Sequence, residues 1–372
     1  MNAPAIRWWR TDLGDDEIAG VAAAIRRRRV NHGEECRDFE AALAHFVGIP
    51  HVVATTSGSV ALLMALKACG VGPGDEVIVP ALTFIAPAHA ALWLGATVRL
   101  VDVLPHRPVL DPLAVRRSIN PRTKAIVCVH LNGRAVDVAA IRADLPAGRI
   151  NLIEDCAQAL GSRSRAHRLG TLGDVAAFSL SISKLITTGE GGFLATADAG
   201  LHLQLAKLRN HGMLGRASTV FPEIGFNFRM TDLQAAVGLA QLRTIDARMA
   251  AVQRVYRRYQ ELLCDLPFIR LLEVNTGDGE LPLWAEAVCA ERDTVVRELA
   301  QRGIEAKPFH PCLSDSPQLR ASGDFPHARR FAAEGLILPC GPHQSAADLD
   351  RVGRALREIA ATITGAPLTP LS

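Results

Sequence analysis

Lysine is scarce in this chain. Among 372 residues only positions 67, 124, 184, 207 and 307 carry it, so arginine supplies nearly all of the 41 basic residues. Lys67 and Lys207 fall on helical patterns, Lys124 opens a strand-like run, and Lys307 precedes Pro308. Lys184 stands apart. It sits among the small hydroxyl residues Ser179, Ser181, Ser183, Thr187 and Thr188, at the end of a β-like run and before the turn Gly189-Glu190-Gly191-Gly192. Two readings are open at this point: a lysine that forms a Schiff base with a carbonyl, or a solvated lysine in a surface turn.

Other absences exclude whole classes of function. The eight cysteines are scattered without a CxxC pair, so neither a zinc site nor a disulfide framework is indicated, and a reduced, cytoplasmic protein is expected. The net charge is only +3 and its basic residues are dispersed, which gives nucleic acid no stripe to bind. The one basic run, Arg26 to Arg29, closes the amphipathic stretch from Ile18 to Ile25, where cations complement a helix dipole. The longest apolar region, Val79 to Val98, is interrupted by Pro80, Pro87 and His89 and does not read as a membrane span. The N-terminus lacks the apolar centre of a signal peptide. Internal repeats, a Walker A loop and a GxGxxG fingerprint are also missing.

What is present is ordinary in bulk: 49% of residues are hydrophobic and 21% charged, as in soluble globular proteins, and the length suits a large domain plus a smaller one. Helical spacing over residues 15–29 and 34–47 is followed by the β-branched run His51 to Thr55. The loop Ser57-Gly58-Ser59 then opens a helix, Val60 to Ala68, that is apolar nearly all round. Strand-like Val77 to Val79, helix-like Ala86 to Leu94, and strand-like Thr97 to Val101 come next. A helix from Asp111, a strand from Ala125 to Val129, a helix from Asp137 to Ala143 and a strand from Ile150 to Glu154 continue the alternation. Strands that are continuous apolar runs alternating with helices predict an α/β fold, a mostly parallel sheet covered on both faces.

Ligands in such sheets collect beyond the strand C-terminal ends, and three polar loops fall there. Ser57-Gly58-Ser59 offers backbone N–H groups and hydroxyls to an anion at a helix N-terminus, although an ordinary serine cap has the same sequence. Asp155 follows an apolar strand, where a carboxylate either caps a helix or pairs with a cation such as a protonated heterocyclic nitrogen. Gln158 lies within reach of a further ring substituent. The Lys184 region is the third. A phosphate cradle, a buried carboxylate and an amine together match the three handles of pyridoxal 5'-phosphate (PLP).

The order of motifs sharpens this. TSGSVALLMAL resembles the SGTAAL segment of the DegT/DnrJ/EryC1/StrS family of sugar aminotransferases, and GPGDEVIVPALTFIA resembles its GPGDEVIVPSLTFVAT. VHLNG, IEDCAQALG, FSLSISKLITTGEGG, LRNHG and GFNFRMTDLQAAVGLAQL also read as signatures of that family, across residues 7 to 360. The resemblance implies a fold type I PLP enzyme with a large PLP-binding domain and N-terminal arm over 1–245 and a small α/β domain over 246–372. It implies that Lys184 bonds the cofactor aldehyde, Asp155 pairs the pyridine nitrogen and Gln158 lies by the ring hydroxyl. Gly58, Ser59 and Ser179 would hold the phosphate, alongside Ser57 from the reading of the loop itself, and Phe84 would stack on the ring. Asn227 and Arg229 would reach the site from a neighbouring subunit of a homodimer; apart from the resemblance, Arg229 is the candidate for gripping the donor carboxylate, because a guanidinium can bind it bidentately.

The implied reaction moves an amino group from Glu or Gln to a ketone of a nucleotide-linked keto-sugar. A keto-cyclitol or related antibiotic-pathway intermediate is the alternative acceptor. A non-catalytic PLP-binding regulator would need a DNA-reading module, and no helix-turn-helix precedes residue 7. Some positions depart from the family pattern. Ser59 replaces threonine but keeps the hydroxyl, and Val30-Asn31-His32-Gly33 replaces a usual glutamine-glycine. His89 stands in an altered segment and either packs in its helix or touches substrate; His310, in KPFHPC, is a loop histidine or a substrate contact. His310 and Cys312 are too few to make a metal site. Lysine at 184, rather than the histidine of the dehydratase branch, favours amino transfer.

Overall fold

The structure is a computed structural model that describes residues 5–145, 148–215, 220–319 and 322–364. The outer ends of the two expected domains, residues 1–4 and 365–372, lie outside the described residues.

The runs that read as buried strands form one seven-stranded sheet. They are β1 (His51–Thr55), β2 (Glu76–Pro80), β3 (Thr97–Val101), β4 (Thr123–Val129), β5 (Asn151–Asp155), β8 (Val175–Ser179) and β9 (Gly192–Thr196). A two-stranded hairpin, β6 (Arg163–Ser164) and β7 (His167–Arg168), stands outside it. The strand order is β1-β9-β8-β5-β4-β2-β3. Strands β8, β5, β4, β2 and β3 are mutually parallel, while β9 is antiparallel to both β1 and β8. The C-terminal ends of β1, β2, β4, β5 and β8 therefore gather on one side, with the start of β9 at Gly192 among them.

Both faces are covered, which is why the strands carry no polar alternation. On one face Ile78, Ile126, Cys128 and Leu152 pack with α5 (Pro112–Ser118) and α6 (Val138–Ala143) in a separate apolar cluster. On the other face, α3 (Gly58–Ala68) lies against β8 and β9 and against α4 (Ala86–Trp93), and α7 (Ala199–Arg209) against β1. Buried Ala61, Leu62, Met64, Ala65 and Leu66 explain the all-round apolarity of α3. The helices α1 (Asp15–Arg26) and α2 (Glu34–Val47) pack on α8 (Asp232–Arg243). Gly48 closes α2 in the left-handed region at φ 78°, the expected C-cap.

Beyond α9 (Ile245–Leu263) an antiparallel four-stranded sheet runs β10-β11-β13-β12, from β10 (Arg270–Leu271), β11 (Ala285–Val288), β12 (Lys307–Pro308) and β13 (Gly335–Leu338). The helices α10 (Arg292–Gln301), α11 (Pro326–Glu334) and α12 (Ala346–Thr364) accompany it.

Two expectations change, at the end of the first helix and at Gly192. The helical region from Leu233 to Leu263 is two helices, broken at Thr244, which ends α8 and precedes α9. The first helix stops at Arg26, and Arg28 takes a positive φ of 56°. Gly192 begins a strand rather than finishing a turn, because it fits between the start of α3 and β8, where a Cβ would collide with the backbone of Ser57, Gly58 and Phe178. The N-terminal arm runs beside the second sheet's elements: Ile6 pairs with Gly303 and Glu305, and the Trp8 carbonyl accepts the Cys340 N–H. No helix among the described residues is long and apolar enough to cross a membrane.

Candidate active site

Lys184 lies in the loop between β8 and β9, not at the end of a strand: β8 stops at Ser179. The neighbouring hydroxyls shape that loop. Thr187 Oγ1 donates to the Leu180 carbonyl at 3.0 Å, and Thr188 Oγ1 donates to the Glu190 carbonyl at 2.8 Å. The lysine is held under an aromatic lid. Its Nζ stands 5.0 Å from the centroid of the Trp284 ring, and the indole N–H donates to the Ser183 carbonyl at 3.2 Å. Burial pushes the ammonium down to about 8, against the opposing pull of the Asp155 and Glu190 carboxylates.

Asp155 ends β5 and is 5% exposed. Its Oδ1 accepts the Ala157 N–H at 2.9 Å, so the local Asx-type turn is real, but no ion pair neutralises it among the described residues. Burial drives its pKa upward, with the Ala157 N–H and the Lys184 charge pulling the other way. Gln158 Oε1 accepts the Asn132 N–H at 2.8 Å, and Gln158 Nε2 lies 3.5 Å from His310 Nε2. The imidazole of His310 is ringed by Phe84, Trp284 and Phe309. Burial, and the charge of Lys184, lower its pKa to about 4.

The third loop closes on these. Ser57 caps α3, its Oγ accepting the Val60 N–H at 3.2 Å. The amides at the first positions of the helix have no intrahelical acceptor and face outward at the positive end of its dipole. Contact is tight. A Cβ on Gly58 would lie 2.8 Å from Ser179 Cβ, and one on Gly192 would lie 2.6 Å from the Gly58 nitrogen and 2.7 Å from the Phe178 carbonyl oxygen. Phe84 is 56% exposed and sits beside the His310 loop, which the Leu313 N–H ties to the Ala81 carbonyl at 2.8 Å.

The chain matches the DegT/DnrJ/EryC1/StrS aminotransferase family over residues 11–357. It belongs to that family. It is 40% identical to the GDP-perosamine synthase of Caulobacter vibrioides, over 87% of this chain and 89% of that protein. It is 43% identical to the L-glutamine:2-deoxy-scyllo-inosose aminotransferase of Micromonospora echinospora, over 56% of this chain and 52% of that one. Among solved structures, DesV of S. venezuelae superposes with a TM-score of 0.88 at 34% identity, covering 96% of this chain and 99% of DesV.

The protein is thus a PLP-dependent aminotransferase, and its residues suit that cofactor. Among the described residues no ion pair neutralises the buried Asp155 carboxylate, and the Gly58–Ser179–Gly192 contact sets the N-terminus of α3, the positive end of its dipole, against β8 and β9. Other expected site residues of this aminotransferase make contacts of their own in the single chain. The backbone of Arg229 bridges Thr55, while its guanidinium donates to Asn227 Oδ1 at 2.9 Å and to Asn210 Oδ1 at 2.8 Å. The carboxylates acting on Lys184 are Asp155 and Glu190. His89, on α4, lies 3.1 Å from the Gln318 amide nitrogen and faces an apolar groove shared with Phe84.

Two residues of the site went unassigned at the level of sequence. Trp284 is one of four tryptophans, a rarity that carried a signal, and Asn132 stands in the signature VHLNG. Behind Asp155, ligand-type atoms of His130, Glu154 and Cys156 lie within 4.8 Å of one another. The Glu154 carboxylate is used within the protein: it meets His130 Nε2 at 2.9 Å and the N–H groups of Gly170, Leu172 and Gly173.

Proposed function

We propose that this aminotransferase carries the amino group of glutamate or glutamine to a ketone of a nucleotide-linked keto-sugar. The observation that carries the acceptor class is the 40% identity, along most of both chains, with a GDP-perosamine synthase. The 43% identity with a deoxy-scyllo-inosose aminotransferase over about half of each chain supports a keto-cyclitol of an antibiotic pathway as the second reading.

Bound PLP supplies an aldehyde for amines and a protonated ring that takes up electron density. The chain's residues do the rest. The first amides of α3, with the hydroxyls of Ser57, Ser59 and Ser179, bind the phosphate. The Asp155 carboxylate holds a proton at the ring nitrogen, and that proton relieves the cost of burying the carboxylate. Gln158 donates to the ring oxygen, and Phe84 covers the ring. Lys184, with its ammonium near 8, releases its proton readily enough that its free amine would take one from the donor Cα and deliver it to the cofactor carbon that carried the aldehyde. Trp284 keeps water from that amine.

Arg229 is the residue for the donor carboxylate, since a guanidinium can bind it bidentately. It acts with Asn227 from the neighbouring subunit of a homodimer, while His310 and His89 face the acceptor. The active unit is divided into a large domain, 1–245, and a small one, 246–372. Eight unpaired cysteines support a reducing, cytoplasmic setting.

The test is spectroscopic. The purified protein with PLP should be yellow and bleach on adding glutamate or glutamine, and a keto-sugar nucleotide should restore the colour. Restoration by a keto-cyclitol alone would replace the first acceptor reading by the second. Lys184→Arg should lose the exchange altogether, and Arg229→Lys should raise the donor KM far more than the acceptor KM.

A further inference from the structure

Asn132 is a strained residue with no assigned task. It is fully buried, yet holds a left-handed backbone at φ 53° and ψ 40°, a region that non-glycine residues seldom occupy. Its side chain is fixed at both ends: Nδ2 donates to the Trp284 carbonyl at 3.0 Å, and the Trp284 N–H donates to Oδ1 at 2.6 Å. The amide thus mimics one rung of a strand pair and ties the loop after β4 to the start of β11. The turn aims the Asn132 N–H at Gln158 Oε1, 2.8 Å away.

That contact decides which end of the Gln158 amide is which. A flipped amide would set its N–H₂ against the Asn132 N–H, donor against donor, so the flipped form is disfavoured. Nitrogen must therefore face His310, whose Nε2 is 3.5 Å away and has to accept. One N–H of Gln158 is then used and the other is free.

We infer that Asn132 and His310 are positioning residues that clamp the Gln158 amide from its two ends, so that it can only donate to the ring oxygen of the cofactor and favours the ionised form of that oxygen. This rests on the reading of Gln158 as the ring-oxygen contact. It gives His310 a role through Gln158, distinct from touching the acceptor, and it gives the strained turn a purpose.

The clamp predicts a pattern among variants loaded with PLP and titrated by visible absorption. Removing a donor from an ionised ring oxygen should raise the pH midpoint of the band by about one unit. His310→Phe, Asn132→Ala and Gln158→Glu should all show the rise. Asn132→Gly should stay near the parent, because glycine keeps the left-handed turn and its N–H without strain. Parent-like midpoints in both His310→Phe and Asn132→Ala, or in Gln158→Glu, would overturn the clamp. A second measurement needs no cofactor: in protein labelled with 15N-histidine, the signal lost in His310→Phe should report an Nδ1–H tautomer at pH 7. An Nε2–H tautomer or a doubly protonated ring would refute the clamp. A parent that takes up no PLP would instead sink the functional reading, and the tautomer would still decide this one.

Discussion

At the scale of single residues, the site is a set of buried groups whose charges are mismatched until a ligand arrives. Lys184 shows it best. Its ammonium titrates near 8 in the folded chain against an ordinary value of 10.5, so between those pH values the unfolded chain binds more protons than the native one. Native stability therefore rises with pH across that window, and below it the protein carries the full cost of an ammonium kept from water. Lys184→Met, measured without cofactor, is expected to be more stable than the parent at pH 7. The gap should close as pH climbs from about 8 to 10.5, and a gap that does not change with pH would contradict the burial of the charge. Lys184 and Asp155 were legible because one is a rare residue in a hydroxyl-rich loop and the other a carboxylate after an apolar strand. Asn132 carried a cue that went unread, since it precedes Gly133 and an Asn-Gly pair favours left-handed backbone.

At the scale of elements, the loop after β4 is bound to β11 by more than Asn132. Two residues on, Arg134 is wholly buried; its Nη1 meets Glu286 Oε2 at 2.5 Å and its Nε donates to the Glu273 carbonyl at 2.8 Å. Burial pushes the Glu286 carboxyl up while Arg134 holds it down. Arg134→Met would strand that carboxylate, a loss of about 3–5 kcal/mol. The loss, read by chemical denaturation, should be smaller at pH 5 than at pH 8, because protonation then neutralises Glu286. Arg134→Met with Glu286→Leu should recover part of it, and a double variant no better than the single would show that the ion pair is not the main term. Elements with strong local signals were legible, such as α2 with its Gly48 cap. The strand β9 was hidden because Gly191-Gly192 reads as a turn, and its first residue, Gly192, answers to the backbone at the start of α3 rather than to local preference. Strands of two residues, β10 and β12, offer no period to detect.

At the scale of the whole molecule, alternating apolar runs sufficed for a parallel sheet with its loops gathered on one edge, while the second sheet, made of short antiparallel pieces, needed tertiary contacts to define it. Sequence gives no sign of which surface stays open, and here the structure adds something. Beside Phe84 runs a groove of about 860 Å³ between α3, α4 and the segment around Ile224 to Phe228. Trp93 is 83% exposed there, Ile224 85% and Phe226 65%, a cluster of large apolar side chains of the sort that marks an interaction site. The same segment carries Asn227, and Arg229 follows it. A second copy seated on this groove would bury the apolar cluster and could bring those polar residues to the other chain's lysine. On the proposed homodimer, Ile224→Glu combined with Trp93→Glu should shift the protein from dimer to monomer in sedimentation velocity, and the transaminase rate should fall about a hundredfold or more. The lysine loop would remain folded, so PLP should still colour the monomer. A variant that stays dimeric with full activity would place the subunit contact on another face.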